Sequence, residues 1–141
     1  MTGDSIYELL LAKGISSRAI TVLDDDYRLP ARSVIVEDFA KAFDDLKSFL
    51  GTRKYIKNAR DCDKFAMLAH WLFTEIHAQS DHQSKGVAFG QFGYIRDAVW
   101  TGHQINFAIV ENKELVFFEP QTCRLVELSK SEFNSCTEAR L

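Results

Sequence analysis

The hydrophobic pattern of this chain changes period part-way along, and that change limits the folds open to it. Between residues 36 and 50, Phe39, Ala42, Phe43, Leu46, Phe49 and Leu50 recur at spacings of three and four, and Gly51 closes the run. That is the stripe of an amphipathic helix. A second stripe of Phe65, Leu68, Ala69, Leu72, Phe73 and Ile76 predicts a helix over 62–78, with Asp61 ahead of it as N-cap. After Gly86 the helical period is gone. Val87-Ala88-Phe89 and Tyr94-Ile95 predict strands, with Gly90 and Gly93 as bulge or turn points. Residues 103–110 alternate so that Ile105, Phe107 and Ile109 share a face. Glu111-Asn112-Lys113 predicts a hairpin loop, 115–118 the returning strand, and Pro120 its end. Helices followed by antiparallel strands make an α+β arrangement.

Upstream of these, 4–13 predicts a short helix, capped by Asp4 or Ser5 and ended by Gly14. Residues 19–23 predict a strand, and 24–30 an irregular segment because Pro30 lacks a donor and disfavours helix before it. With 141 residues, 46% of them apolar and 12% aromatic, the chain has the material for one domain over 1–141 around one core. Its formal charge of −3 offers no surface for duplex nucleic acid or an anionic membrane. Cys62, Cys123 and Cys136 are too few for a disulfide framework, and their odd number leaves a free thiol, which fits a reducing compartment. The apolar run 9–12 follows acidic residues and lacks the basic start of a signal peptide, and no stretch nears the roughly 20 apolar residues of a membrane span. A soluble, cytoplasmic protein is the expectation; its oligomeric state is open.

Three residues carry the chemistry worth weighing. Cys62 falls where the second helix begins, and unpaired backbone N–H groups there favour a thiolate and can hold an oxyanion. His103 follows Thr101-Gly102 and opens a strand, a place for a base that takes the thiol proton and later protonates a leaving group. Glu119 ends the next strand. Taken alone, each is an ordinary packed or surface residue. Together they depend on the hairpin loop: three residues, 111–113, would pair Val110 with Glu114 and Ile105 with Glu119, leaving His103 diagonal to Glu119 on one face. A two-residue loop would separate them. Asn112 is the residue expected to take the left-handed conformation that a three-residue loop needs.

These motifs carry a resemblance. Asp61-Cys62-Asp63-Lys64-Phe65-Ala66 resembles the start of the nucleophile helix in transglutaminase-like cysteine proteinases. Gly102-His103 and Glu119-Pro120-Gln121-Thr122 resemble the His and Asp-Pro-Thr segments of transglutaminase-type enzymes. The closer likeness is to the papain-like C-terminal protease domain of a mushroom agglutinin, and to uncharacterised phage and bacterial proteins with Asp-Cys-Asp, His-x-x-Asn and Glu-Pro-Gln motifs, here including His103-Gln104-Ile105-Asn106. The resemblance covers about residues 55–122. It implies an α+β papain-like or transglutaminase-like fold, with the nucleophile helix packed on a small antiparallel sheet. It makes Cys62 the nucleophile, His103 the base and Glu119 its orienting acid, acting on a peptide or protein substrate. Asn58 and Tyr55 are candidates for the oxyanion donor, and Asn106 and Gln121 for supporting residues.

A divalent metal, calcium or manganese, enters by resemblance only; the sequence itself requires no cofactor. Asp61, Asp63 and Glu119 are the carboxylates that could converge on one, joined by Asn106 or Gln121, but Asp61 as cap and Asp63 in a first helical turn is the simpler reading. Asp24-Asp25-Asp26 lacks the spacing of a calcium loop. His70 and His77 share a side of the second helix without a ligand partner, and His82 lies in a polar loop. The basic residues Lys47, Arg53, Lys54, Lys57 and Arg60 read as charge following a helix C-terminus. The leading expectation is thus a cysteine-dependent acyl-transfer enzyme, a thiol hydrolase or peptidase or a transglutaminase-like catalyst. The rivals are a non-catalytic peptide- or ligand-binding module on the same fold and a phage-type interaction or inhibitor protein.

Overall fold

The computed structural model describes residues 1–51, 61–79 and 85–141. Helix α1 is Gly3–Ala12, one residue earlier than the sequence suggests, because Thr2 rather than Asp4 or Ser5 caps it: Thr2 Oγ1 accepts from Ser5 N at 3.2 Å. Gly14 ends the helix in the left-handed region (φ 97°). Strand β1 is Ile20–Thr21 and β2 is Tyr27–Arg28, the latter inside the segment expected to be irregular. Its partner is β3, Gly86–Val87, in a parallel pair.

The expected helix over 36–50 is two pieces, a π-helical turn at Val34–Phe39 running into α2, Ala40–Phe49. Its buried face also differs from the predicted stripe. Ile35, Phe39, Phe43 and Lys47 point inward at successive steps of four, whereas Phe49 is 87% and Leu50 46% exposed. The inward face includes Lys47, whose ammonium lies over the Phe43 ring, 5.4 Å from its centroid, and donates to the Pro120 carbonyl.

Helix α3 runs Cys62–Ala78, as its sequence period predicts. Asp61 holds the N-cap position with extended backbone (φ −94°, ψ −178°) but makes no side-chain capping bond, since its carboxylate turns to Lys64. Of the two short strands expected, Val87 belongs to β3, while Phe89 and Tyr94-Ile95 belong to one longer strand β4, Phe89–Ile95. Gly90 and Gly93 mark neither bulge nor turn: pairing with β5, Gly102–Ile109, continues unbroken from Phe89↔Ala108 to Ile95↔Gly102. Gly90 answers a different demand, because a Cβ there would collide with the Arg140 carbonyl of the neighbouring strand.

Strands β6, Leu115–Glu119, and β7, Arg124–Val126, follow, then helix α4, Lys130–Asn134, and strand β8, Glu138–Arg140. The six-stranded sheet has the order β1-β8-β4-β5-β6-β7 and is antiparallel except for the β1–β8 pair. Strand β8, which the sequence pattern did not suggest, thus lies between β1 and β4. The fold is α+β with a mostly antiparallel sheet, as expected at that level.

Alternation along β5 divides the core in two. Ile105, Phe107 and Ile109 pack with Ile6 and Leu10 of α1 and with Phe92 and Tyr94. Ala108 and Val110 face the other way, against Phe39, Phe43, Ala69 and Phe73. There Phe73 stacks on Phe89 (centroids 4.3 Å, 7°), and Phe39 meets Phe73 and Phe89 edge-on. Each such aromatic contact adds about 0.5–1.5 kcal/mol beyond the area it buries. Among the described residues no helix is long and apolar enough to cross a membrane.

Candidate functional site

The hairpin between β5 and β6 has the three-residue loop on which the site depends. Val110 N donates to Glu114 O at 3.0 Å, and the register runs Ile109↔Leu115 to Asn106↔Phe118. One more step sets Ile105 opposite Glu119, so His103 and Glu119 are diagonal neighbours on one face. The left-handed residue of the loop is Lys113 (φ 63°), not Asn112. Asn112 instead accepts from Glu114 N through Oδ1 at 3.1 Å, a side-chain turn of the kind Asn favours.

This register produces a buried pair. His103 Nε2 lies 2.7 Å from Glu119 Oε2, and both residues are 7% exposed. Glu119 Oε1 accepts the Gln121 backbone N–H at 3.1 Å, so each carboxylate oxygen has a donor. An ionised carboxylate can only accept, so opposite it Nε2 is the donor, and a neutral ring in that tautomer has an unprotonated Nδ1 suited to accept a proton. Tyr94 pairs with His103 across the strands and meets its ring at 77° with centroids 5.6 Å apart. Arg96 Nη2 approaches Glu119 Oε2 from the solvent side at 3.9 Å.

Cys62 is half-buried at the first turn of α3. Its position along the sheet follows from two fixed points. Asn106 Nδ2 donates to Ala66 O at 2.9 Å, and Phe73 stacks on Phe89, which pairs with Ala108. The helix therefore runs from the His103 end of β5 towards its far end. Cys62 stands about 6 Å beyond Ala66, at 1.5 Å per residue, which is about two strand residues past Asn106. Thiol and pair share one end of the sheet, but the pleat sends His103 and Asn106 to opposite faces. No hydrogen bond joins Cys62 to His103 among the described residues.

The other candidates divide. Gln121 contributes through its backbone N–H. Asn106 serves elsewhere: fully buried, it ties α3 to the sheet through Ala66 O and Gly90 O (2.9 Å each), while its Oδ1 is buried with no partner among the described residues. Tyr55 and Asn58 fall outside the described residues, as do His82 and the basic residues 53–60. Asp61 and Asp63 are bridged by Lys64 Nζ at 3.3 and 2.9 Å. Glu119 is engaged with His103 and does not converge on them. Among the described residues no three His, Cys, Asp or Glu side chains could hold a metal ion together.

His70 Nδ1 lies 3.3 Å from Gln91 Nε2, and burial, then the Arg140 charge, holds its imidazole below the usual range. His77 Nε2 lies 3.0 Å from Lys85 O. Cys123 Sγ donates to Pro120 O at 3.7 Å, and burial pushes the Cys136 thiol up to about 11. Lys47, read from the sequence as charge following a helix C-terminus, is 2% exposed and donates to Pro120 O (2.9 Å) and Gln121 O (2.8 Å). Only its place on an apolar helical face, four residues after Phe43, could have signalled this.

No family model matches the chain, and no curated protein matches it in sequence. Solved structures do resemble it. Polyporus squamosus lectin, bound to the human-type influenza-binding epitope Neu5Aca2-6Galb1-4GlcNAc, superposes with a TM-score of 0.72 at 18% identity over 96% of this chain. The fold is shared with a lectin. A second structure, a PSL1a-E64 complex, gives a TM-score of 0.70 at 18% identity over 95% of this chain. The chain spans 45% and 46% of those two chains, less than half of each. A likeness to a mushroom agglutinin is thus found at the level of fold.

Proposed function

We propose that the chain is a cysteine-dependent acyl-transfer enzyme of papain-like or transglutaminase-like type, with Cys62, His103 and Glu119 as nucleophile, base and orienting acid. One observation carries the reading: the buried 2.7 Å bond between His103 Nε2 and Glu119 Oε2, which fixes the ring and leaves Nδ1 as base. In the reaction, Nδ1 takes the Sγ proton of Cys62 and the sulfur attacks an amide or ester carbonyl of a peptide or protein. The tetrahedral oxyanion collapses as the imidazolium returns its proton to the leaving group, giving a thioester. Water or an amine then attacks the thioester carbonyl, losing its proton to Nδ1 and restoring the Cys62 thiol. Glu119 stabilises the imidazolium formed at each half-reaction.

The second reading is a ligand-binding module on the same fold. The comparisons favour it more directly, since one similar structure is named as a lectin with a bound saccharide epitope. The lack of a Cys62–His103 hydrogen bond points the same way. Iodoacetamide labelling of the protein and of Cys62→Ala at neutral pH separates the two. The enzyme reading expects rapid alkylation at Cys62 that the variant abolishes. Equal labelling of both proteins, together with calorimetric binding of the Neu5Ac-containing trisaccharide, would establish the second reading in its place.

A further inference from the structure

We propose that Lys47 is a positioning residue for the His103–Glu119 pair, acting through the single peptide group that joins Pro120 to Gln121. The proposal deepens the acyl-transfer reading and rests on it. It begins with the placement of a charge. Lys47 is 2% exposed on the inner face of α2, where an ammonium is tolerated only if its donors are met. They are met by Pro120 O at 2.9 Å and Gln121 O at 2.8 Å, with Asp44 Oδ1 at 3.9 Å. Packing of α2 alone does not call for this residue. An apolar side chain could cover Phe43 without burying a charge, and such replacements in other proteins are often neutral or stabilising.

The identity of the carbonyls supplies the reason. The Pro120 carbonyl and the Gln121 N–H are the two ends of one planar peptide unit. Its oxygen accepts from Lys47, and its N–H donates to Glu119 Oε1 at 3.1 Å. A cation on the oxygen polarises the unit and makes the N–H a stronger donor. Glu119 Oε2 in turn accepts from His103 Nε2. A continuous run of donors and acceptors therefore leads from Nζ of Lys47, through one peptide group and one carboxylate, to the ring whose Nδ1 serves as base. The turn itself is well set for this. Pro120 has a fixed φ and no N–H of its own, and Cys123 closes the turn in the left-handed region (φ 56°). Arg96 reaches the same carboxylate from solvent, so Lys47 is its counterpart on the buried side.

The test compares the wild-type chain with Lys47→Met and Lys47→Arg by proton NMR of the His103 ring N–H. In the Met variant this proton should exchange with solvent at least about tenfold faster, as expected for weakening a hydrogen bond to a charged group. The Arg variant, which keeps charge and donors, should restore slow exchange. A merely structural lysine would not move this signal selectively: a folded Met variant with an unchanged ring N–H overturns the proposal. If the Met variant does not fold, the wild-type Gln121 amide decides. Slow exchange matching that of the ring proton supports the relay, and exchange as fast as an exposed loop amide overturns it. Alkylation of wild-type Cys62 reports separately on the acyl-transfer reading. A rate no faster than that of Cys123 defeats that reading while leaving the exchange result to stand or fall alone.

Discussion

Replacing Asn106 tests how helix α3 is held over the sheet. The side chain is fully buried and gives both Nδ2 protons away, to Ala66 O of α3 and Gly90 O of β4 at 2.9 Å each. Asn106→Ala removes two neutral hydrogen bonds, worth about 1 kcal/mol apiece net. It also opens a small cavity, which adds about 1 kcal/mol, and removes the unpartnered Oδ1, which returns about the same amount. The sum is a loss of about 2 kcal/mol. Asn106→Asp keeps the shape but turns a donor into an anion facing two carbonyls with no counter-ion, so at pH 7.5 it should cost about 4 kcal/mol or more. That penalty should shrink as acid neutralises the new carboxyl, because the buried group's folded-state pKa would lie above its unfolded one. Urea unfolding followed by circular dichroism at 222 nm measures both variants. An Asp variant as stable as the Ala variant at pH 7.5 would show that the Nδ2 bonds are not what joins the two layers.

Two further measurements probe local strain and charge. Lys113 sits at φ 63°, so Lys113→Gly should gain about 0.5 kcal/mol after the entropy of the added glycine is subtracted, whereas Lys113→Ala should gain nothing. Equal urea midpoints for the Gly and Ala variants would refute this account of the loop. His70 has a depressed folded-state pKa, so the unfolded chain binds the proton more readily, and its contribution to stability is lost as pH falls below about 6.5. The urea midpoint should drop between pH 7 and 5.5, and less so in His70→Gln; identical slopes would remove His70 as the cause.

The parts of this fold written in one period were legible in the sequence. Helix α3 and the β5–β6 hairpin belong to that class, and so does the His103–Glu119 adjacency, because an odd loop between alternating strands fixes which residues share a face. Features set by distant backbone were not legible. Gly90 reads as a bulge until Arg140 is found beside it, and Lys47 reads as charge following a helix C-terminus until the carbonyls of Pro120 and Gln121 lie over it. Asn106 was expected beside the pair, yet an odd offset of three from His103 on an unbroken strand places it on the other face. The position of Lys113 was missed because Asn112, the better left-handed residue, serves the turn through its side chain instead. Cys62 illustrates the remaining gap: the helix start was legible, but the route from its sulfur to His103 depends on how the helix end overhangs the sheet.

Strand β8 has a consequence for the order in which the molecule can assemble. It lies between β1 and β4, and β1 pairs with nothing else in the sheet. During synthesis the first strand must therefore wait, unpaired, until residues 138–140 leave the ribosome, although the hairpins of β4 to β7 can already form. Helix α1 packs on β4 and β5 through Ile6 and Leu10, whereas its neighbour β1 enters the sheet only through β8, so that pairing is a closing step that joins Ile20–Thr21 to Ala139–Arg140.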